Sequence, residues 1–251
     1  MKFLTPLIIA GSLWVGSAVA GQCEVSLLHD IRVNSEALTV TDGEAPVFKI
    51  RQGGLLSVAG VEVALSEEQR VLVEEYAGEV GALLPQWILA VSNSLEMAEQ
   101  SLTRALTTAF GPDSVPLEKS ASAMAQARLK FEEITSASEG EYTISSGVFN
   151  DIEDSFGEEF SAKMEEAVLS SLGSVLSAAG EAMMSSPGNF KASMDDFSDR
   201  MSLVGDELGA MGDAMEQTGY ILCGETLRVQ TLEKRVARKV PALAQYPLFA
   251  S

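Results

Sequence analysis

Two cysteines, Cys23 and Cys223, and one histidine, His29, are the residues of this 251-residue chain whose chemistry can be limited simply by counting. One imidazole builds no multi-histidine metal site, and two thiols with one imidazole do not complete a zinc tetrad. The cysteines lie far apart, with no Cys-x-x-Cys spacing to depress a thiol pKa for redox work. A Ser-His-Asp triad survives the count, but no nucleophile-elbow sequence accompanies it, so His29 reads as a surface or turn residue. No glycine-rich phosphate cradle occurs. The acidic run "NDIEDSFGEE" places Gly157 where an EF-hand loop needs glycine, yet Ile152 then falls on the first ligand position. The expectation is no catalytic residue, no metal and no cofactor. A carboxylate-dependent hydrolase is the enzymatic alternative, although 36 acidic residues make any arbitrary pair uninformative.

What the thiols can do depends on the compartment. Lys2, the apolar run Phe3 to Val15 and the small residues Ala18-Val19-Ala20 form a secretory signal, with cleavage expected after Ala20. That run is too short to span a bilayer, so no stable membrane anchor is expected after cleavage. Lipid attachment at Cys23 is disfavoured because Gln22 and Ala20 stand where a lipoprotein signal needs a small residue and usually leucine. In an oxidising compartment Cys23 and Cys223 allow a single intramolecular disulfide, two buried thiols being the competing reading. The loop-entropy model gives such a bond about 5 kcal/mol as an upper bound.

The net charge of −19, one unit more negative without Lys2, repels phosphate backbones and anionic membrane surfaces, so nucleic acid is excluded as a partner. A hydrophobic content of 46% still supplies a core. Aromatic residues at 6% favour helices packed through Leu, Ala, Val and Met.

The elements that would position these residues change character near residue 65. Before it, "CEVSLLHDIRV", "EALTVTD", "PVFKIRQGG", "LLSVAG" and "VEVALS" are short runs divided by Asp42-Gly43, Gly53-Gly54 and Gly60, predicting a small antiparallel meander. From Ser66, "SEEQ" is a capping box that opens a helix carried by Leu72, Tyr76, Val80 and Leu83. Pro85 should kink or restart it, and "GPDSVP" ends it. A second helix carries Leu117, Met124, Ala127 and Phe131, and "EYTIS" is a candidate strand returning to the meander. A third helical stretch runs from Phe149 through Phe160 and Val175 to Ala179, stopped by Pro187-Gly188.

The last segment has the clearest period. Phe190, Met194, Phe197, Met201, Val204, Leu208, Met211 and Met215 alternate steps of four and three, the spacing of a coiled-coil seam, and Leu222, Val229, Leu232, Val236 and Val240 resume it. The seam is either core, including self-association, or an adaptable apolar surface for a partner polypeptide. Its glycines lower helix propensity, so an uninterrupted rod is one possibility and a break near Gly219, which would bring Cys223 back to the meander, is the other. The basic end, Arg228, Lys234, Arg235, Arg238 and Lys239, suits a helix C-terminus and complements an acidic body.

The cysteine after the signal site, the hairpin "GGLLSVAGVEVALSEEQ", Tyr76, "LLP" at 83–85 and "GYILCGETLRVQTLEK" together resemble the YggN family of periplasmic proteins from Gram-negative bacteria. The resemblance extends over nearly the whole mature chain. It implies periplasmic residence and the order of segments, and, for a family of unknown function, no catalytic residue. Relative to that pattern the chain is more acidic and carries an additional tail, "VPALAQYPLFAS".

The expected architecture is α+β and mainly α. Residues 1–20 are a cleaved signal peptide, 21–65 a β meander, 66–240 long amphipathic, partly coiled-coil-like helices packed on it as one domain, and 241–251 a C-terminal tail. The expected role is a noncatalytic protein-binding or scaffolding factor whose partner is another envelope protein. A chaperone-like holdase is the more specific alternative.

Overall fold

The computed structural model describes residues 26–43, 45–138, 140–146 and 190–250. In chain order the strands β1 (Asp30–Val33), β2 (Ala37–Asp42), β3 (Ala45–Arg51), β4 (Leu55–Val58) and β5 (Val61–Glu62) precede helix α1 (Glu67–Phe110) and helix α2 (Val115–Ile134). A hairpin, β6 (Thr135–Ser138) and β7 (Glu141–Ile144), follows, and helix α3 (Phe190–Lys239) leads to a 3-10 turn, Pro241–Leu243. The fold is the expected α+β arrangement, an N-terminal antiparallel meander followed by long helices.

All strands belong to one antiparallel sheet of order β5-β4-β3-β2-β1-β7-β6. "EYTIS" does return to the meander: β7 pairs with β1, Ile31 opposite Ile144. Its partner β6, "TSAS", is a strand the sequence does not announce, because small polar residues suit an exposed edge strand without the alternation that marks a buried one. Alternation gives the sheet two unlike faces. Ile31, Leu38, Val40, Phe48, Ile50 and Leu56 are buried on one, whereas Arg32, Lys49 and Arg51 are exposed on the other.

Helix α1 covers the apolar face with Val73, Tyr76, Val80, Leu84 and Trp87. Its start is the capping box foreseen in the sequence: Ser66 Oγ accepts from the Gln69 N–H at 3.3 Å, and the Ser66 N–H donates to Gln69 Oε1 at 2.9 Å. The sheet meets the helix at Gly54, whose φ of +67° favours glycine and whose missing side chain leaves room for Arg70 O; a Cβ there would lie 2.2 Å from that oxygen.

Neither helix is divided at Pro85 or Gly219. Helix α1 continues through Pro85, which sits inside it. Helix α3 runs for 50 residues with no break at Gly219. Packing outweighs the local penalties of proline and glycine here, since α3 lies along α1. The ion pairs Lys239–Glu68, Arg235–Glu75, Arg228–Glu79 and Arg104–Glu207 show that the two helices are antiparallel over most of their length. The basic end of α3 therefore serves mainly as one rail of this ladder. Arg128–Glu99 similarly joins α2 to α1.

The C-terminal segment is not a loose tail. Leu243, Leu248 and Phe249 are buried. Residues 244–250 form a strap antiparallel to the chain just before β1: the Leu28 N–H donates to Leu248 O, and the Ala250 N–H to Ser26 O, both at 2.9 Å. Leu27 and Phe249 form the bridge between them. A tail containing "YPLF" carries enough apolar surface to join a core, and the strand edge satisfies its backbone.

Candidate functional site

The apolar seam of α3 changes environment along the helix. In the last third, Val229, Leu232, Val236 and Val240 are buried against α1 and the sheet. Toward the N-terminal half the same period continues with Met215, Met211, Leu208, Val204 and Met201. There Met201 is 39% and Met215 38% exposed, while Val204, Leu208 and Met211 are half-buried. Phe190, Met194 and Phe197 lie on the α3 backbone, but their side chains are outside the described residues. The same holds for the whole third helical stretch and for "NDIEDSFGEE".

Further large apolar side chains are exposed elsewhere on the helices: Leu203 and Ile221 on α3, Leu89 on α1 and Leu129 on α2. Thioethers and leucines that are half in water can be covered by a second apolar surface with a gain of roughly 25 cal/mol per Å².

Among the described residues the sole histidine has no carboxylate to orient it. His29 Nδ1, the nitrogen an orienting carboxylate would hold, is buried without a hydrogen-bond partner among the described residues. Among those residues no group of three His, Cys, Asp or Glu side chains is placed to hold a metal ion, and no helix is long and apolar enough to cross a membrane. Cys223 is half-buried on α3 and is not a free thiol, while Cys23 lies outside the described residues.

One polar node was not foreseen. Glu233 Oε1 accepts from the Tyr76 hydroxyl of α1 and from the Leu248 N–H of the strap, each at 2.7 Å. Burial lifts the Glu233 carboxyl above the usual carboxylate range, although the strap amides of Leu248 and Phe249, the Tyr76 hydroxyl and Lys234 all pull it down. Burial, then the charge and hydrogen bond of Glu233, hold the Tyr76 phenol well above its ordinary value. The signal available in the sequence was an acid between Leu232 and Val236, on the edge of an apolar stripe within a basic run.

A family model described as a protein of unknown function (DUF2884) matches residues 23–249. The chain belongs to this family. The match begins at Cys23 and runs through Phe249, so the strap falls within the family pattern and is not an addition to it. No curated protein matches, and no solved structure does.

Proposed function

We propose that this member of the family is an exported periplasmic protein, cleaved after Ala20 and clasped by a Cys23–Cys223 disulfide, that binds another envelope protein without catalysing a reaction. The signal sequence and the resemblance to the YggN family support the location. The blocked state of Cys223, in a chain with one other cysteine, supports the clasp. The observation that carries the function is the seam of α3, buried at Val229 and Val236 and half-exposed from Met201 to Met215. A surface with this composition accepts apolar helices or unfolded segments, which makes holdase activity toward envelope proteins the closest variant of the same reading.

The test uses the full chain and a Met201→Asp/Met215→Asp variant with matched helicity by circular dichroism. Wild-type protein retains a discrete envelope protein from periplasmic extract, or delays light scattering by an aggregating client, and the variant loses that ability. Equal behaviour of the two proteins removes the seam from the function. The mass of protein released by osmotic shock checks the rest: a chain starting at Gly21 with no free thiol is expected.

A further inference from the structure

The two edges of the sheet are built differently. At one edge β5 is two residues long, carries Glu62 and leads directly toward α1, so little backbone stays open there. At the other edge β6, "TSAS", has none of the features that keep a foreign strand away: no charge, no proline and, in its register with β7, no bulge. Ser136, Ala137 and Ser138 are exposed. Alternation assigns the backbone of this edge. The Ser145 N–H donates to Ile134 O at 3.0 Å, so with Thr135 opposite Ile144 the hydrogen-bonded pairs are Ser136–Thr143 and Ser138–Glu141. Ala137, between them, therefore presents both its N–H and its C=O to the open edge. Thr135 presents its C=O there as well, its N–H being used by Phe131 O.

We propose that β6 is a strand-addition site, on which an extended segment of a partner protein, basic at its ends, pairs with Thr135–Ser138 and lengthens the sheet. Main-chain bonds to Ala137 and Thr135 set its register, and side chains set its selectivity. On the core side the added strand lies beside Ala137, which stands opposite the half-buried Tyr142, and on the outer side beside the hydroxyls of Ser136 and Ser138. Alternating apolar and hydroxyl residues fit these two faces. Charge decides the occupant. Glu132 and Glu133 are exposed on the last turn of α2, directly before β6, with Lys130 the base nearest to them in the chain, and the whole chain carries −19. A second copy would set these acids against their own kind, whereas a segment flanked by Lys or Arg is drawn in. The contact is separate from the α3 seam and does not depend on that reading.

The probe is a labelled peptide of alternating threonine and valine with lysines at both ends, titrated into the full chain by fluorescence anisotropy, with amide exchange followed residue by residue. The expected result is saturable, salt-sensitive binding that slows exchange of the Ala137 amide by at least about tenfold, while Ser138, already paired with Glu141, changes less. Ala137→Pro removes the outward donor without removing a bond to β7 and should abolish binding. Glu132→Lys/Glu133→Lys should weaken it by about tenfold, and the same peptide with glutamate in place of lysine should not bind. Met201→Asp/Met215→Asp should bind as wild type does. No binding up to about 1 mM peptide, protection away from Ala137, unchanged binding in Ala137→Pro or lost binding in the seam variant overturns the proposal. Should Ala137→Pro not fold, unchanged binding in Glu132→Lys/Glu133→Lys overturns it instead. Protection of Ala137 that grows with protein concentration and without peptide gives the edge to a second copy, and overturns the partner assignment.

Discussion

The two ends of α3 carry one apolar period and meet opposite fates. At the C-terminal end Val229 and Val240 are 1% exposed under the sheet and α1, whereas Met201 and Met215 toward the other end remain more than one-third exposed. A stripe of hydrophobic residues therefore marks a face that packing can use, and the neighbours decide whether it becomes core. β-branched valines occupy the closed end and methionines the open one. Stiff side chains suit a fixed neighbour, and flexible thioethers suit a changeable one.

The largest contrast is expected from cavities. Phe48→Ala in the sheet should cost about 3–5 kcal/mol in urea unfolding, while Leu208→Ala in the half-exposed seam should cost about 1 kcal/mol. Equal losses would mean that the seam is closed core throughout. Glycines give a smaller contrast with opposite signs. Gly54→Ala meets Arg70 O at an unfavourable φ and should destabilise by about 2–3 kcal/mol, whereas Gly209→Ala on α3 meets nothing within 4 Å and should raise stability by about 0.5–1 kcal/mol. Thermal and urea melts of the pair decide it.

The smallest contrast is in acid response. Arg104 donates to Glu207 and holds its carboxyl below the usual range, so what this pair adds is present above the ordinary carboxylate pKa and is lost as pH falls through the lowered value. Amide exchange around Glu207 should quicken slightly in acid, after correction, and Glu207→Gln should remove that effect. Salt should weaken the Glu207 effect, because the pair is exposed.

Much of this fold was legible where local chemistry repeated itself. The turn glycines divided β2, β3 and β4 correctly, the Ser66–Gln69 box marked the first residue of α1, and Val229 to Val240 kept their heptad steps as core. The reading failed where long-range packing outvoted local preference. Pro85 and Gly219 both lie inside continuous helices, since each helix borrows stability from the other. The strand β6 went unseen because "TSAS" has no apolar alternation, and its place is assigned by pairing with β7. At the candidate site the seam could be read from its period, but its division into closed and open lengths could not, because nothing in Met201 or Val229 alone says which neighbour stands opposite. The Tyr76–Glu233–Leu248 node joins residues separated by 157 and 15 positions, a relation that no local pattern encodes.

The bridge between Leu27 and Phe249 has a consequence for how the molecule is made. The stretch leading into the first strand receives its hydrogen-bonding neighbour from residues far downstream in the chain, so a nascent chain cannot close this core before residue 250 has been added.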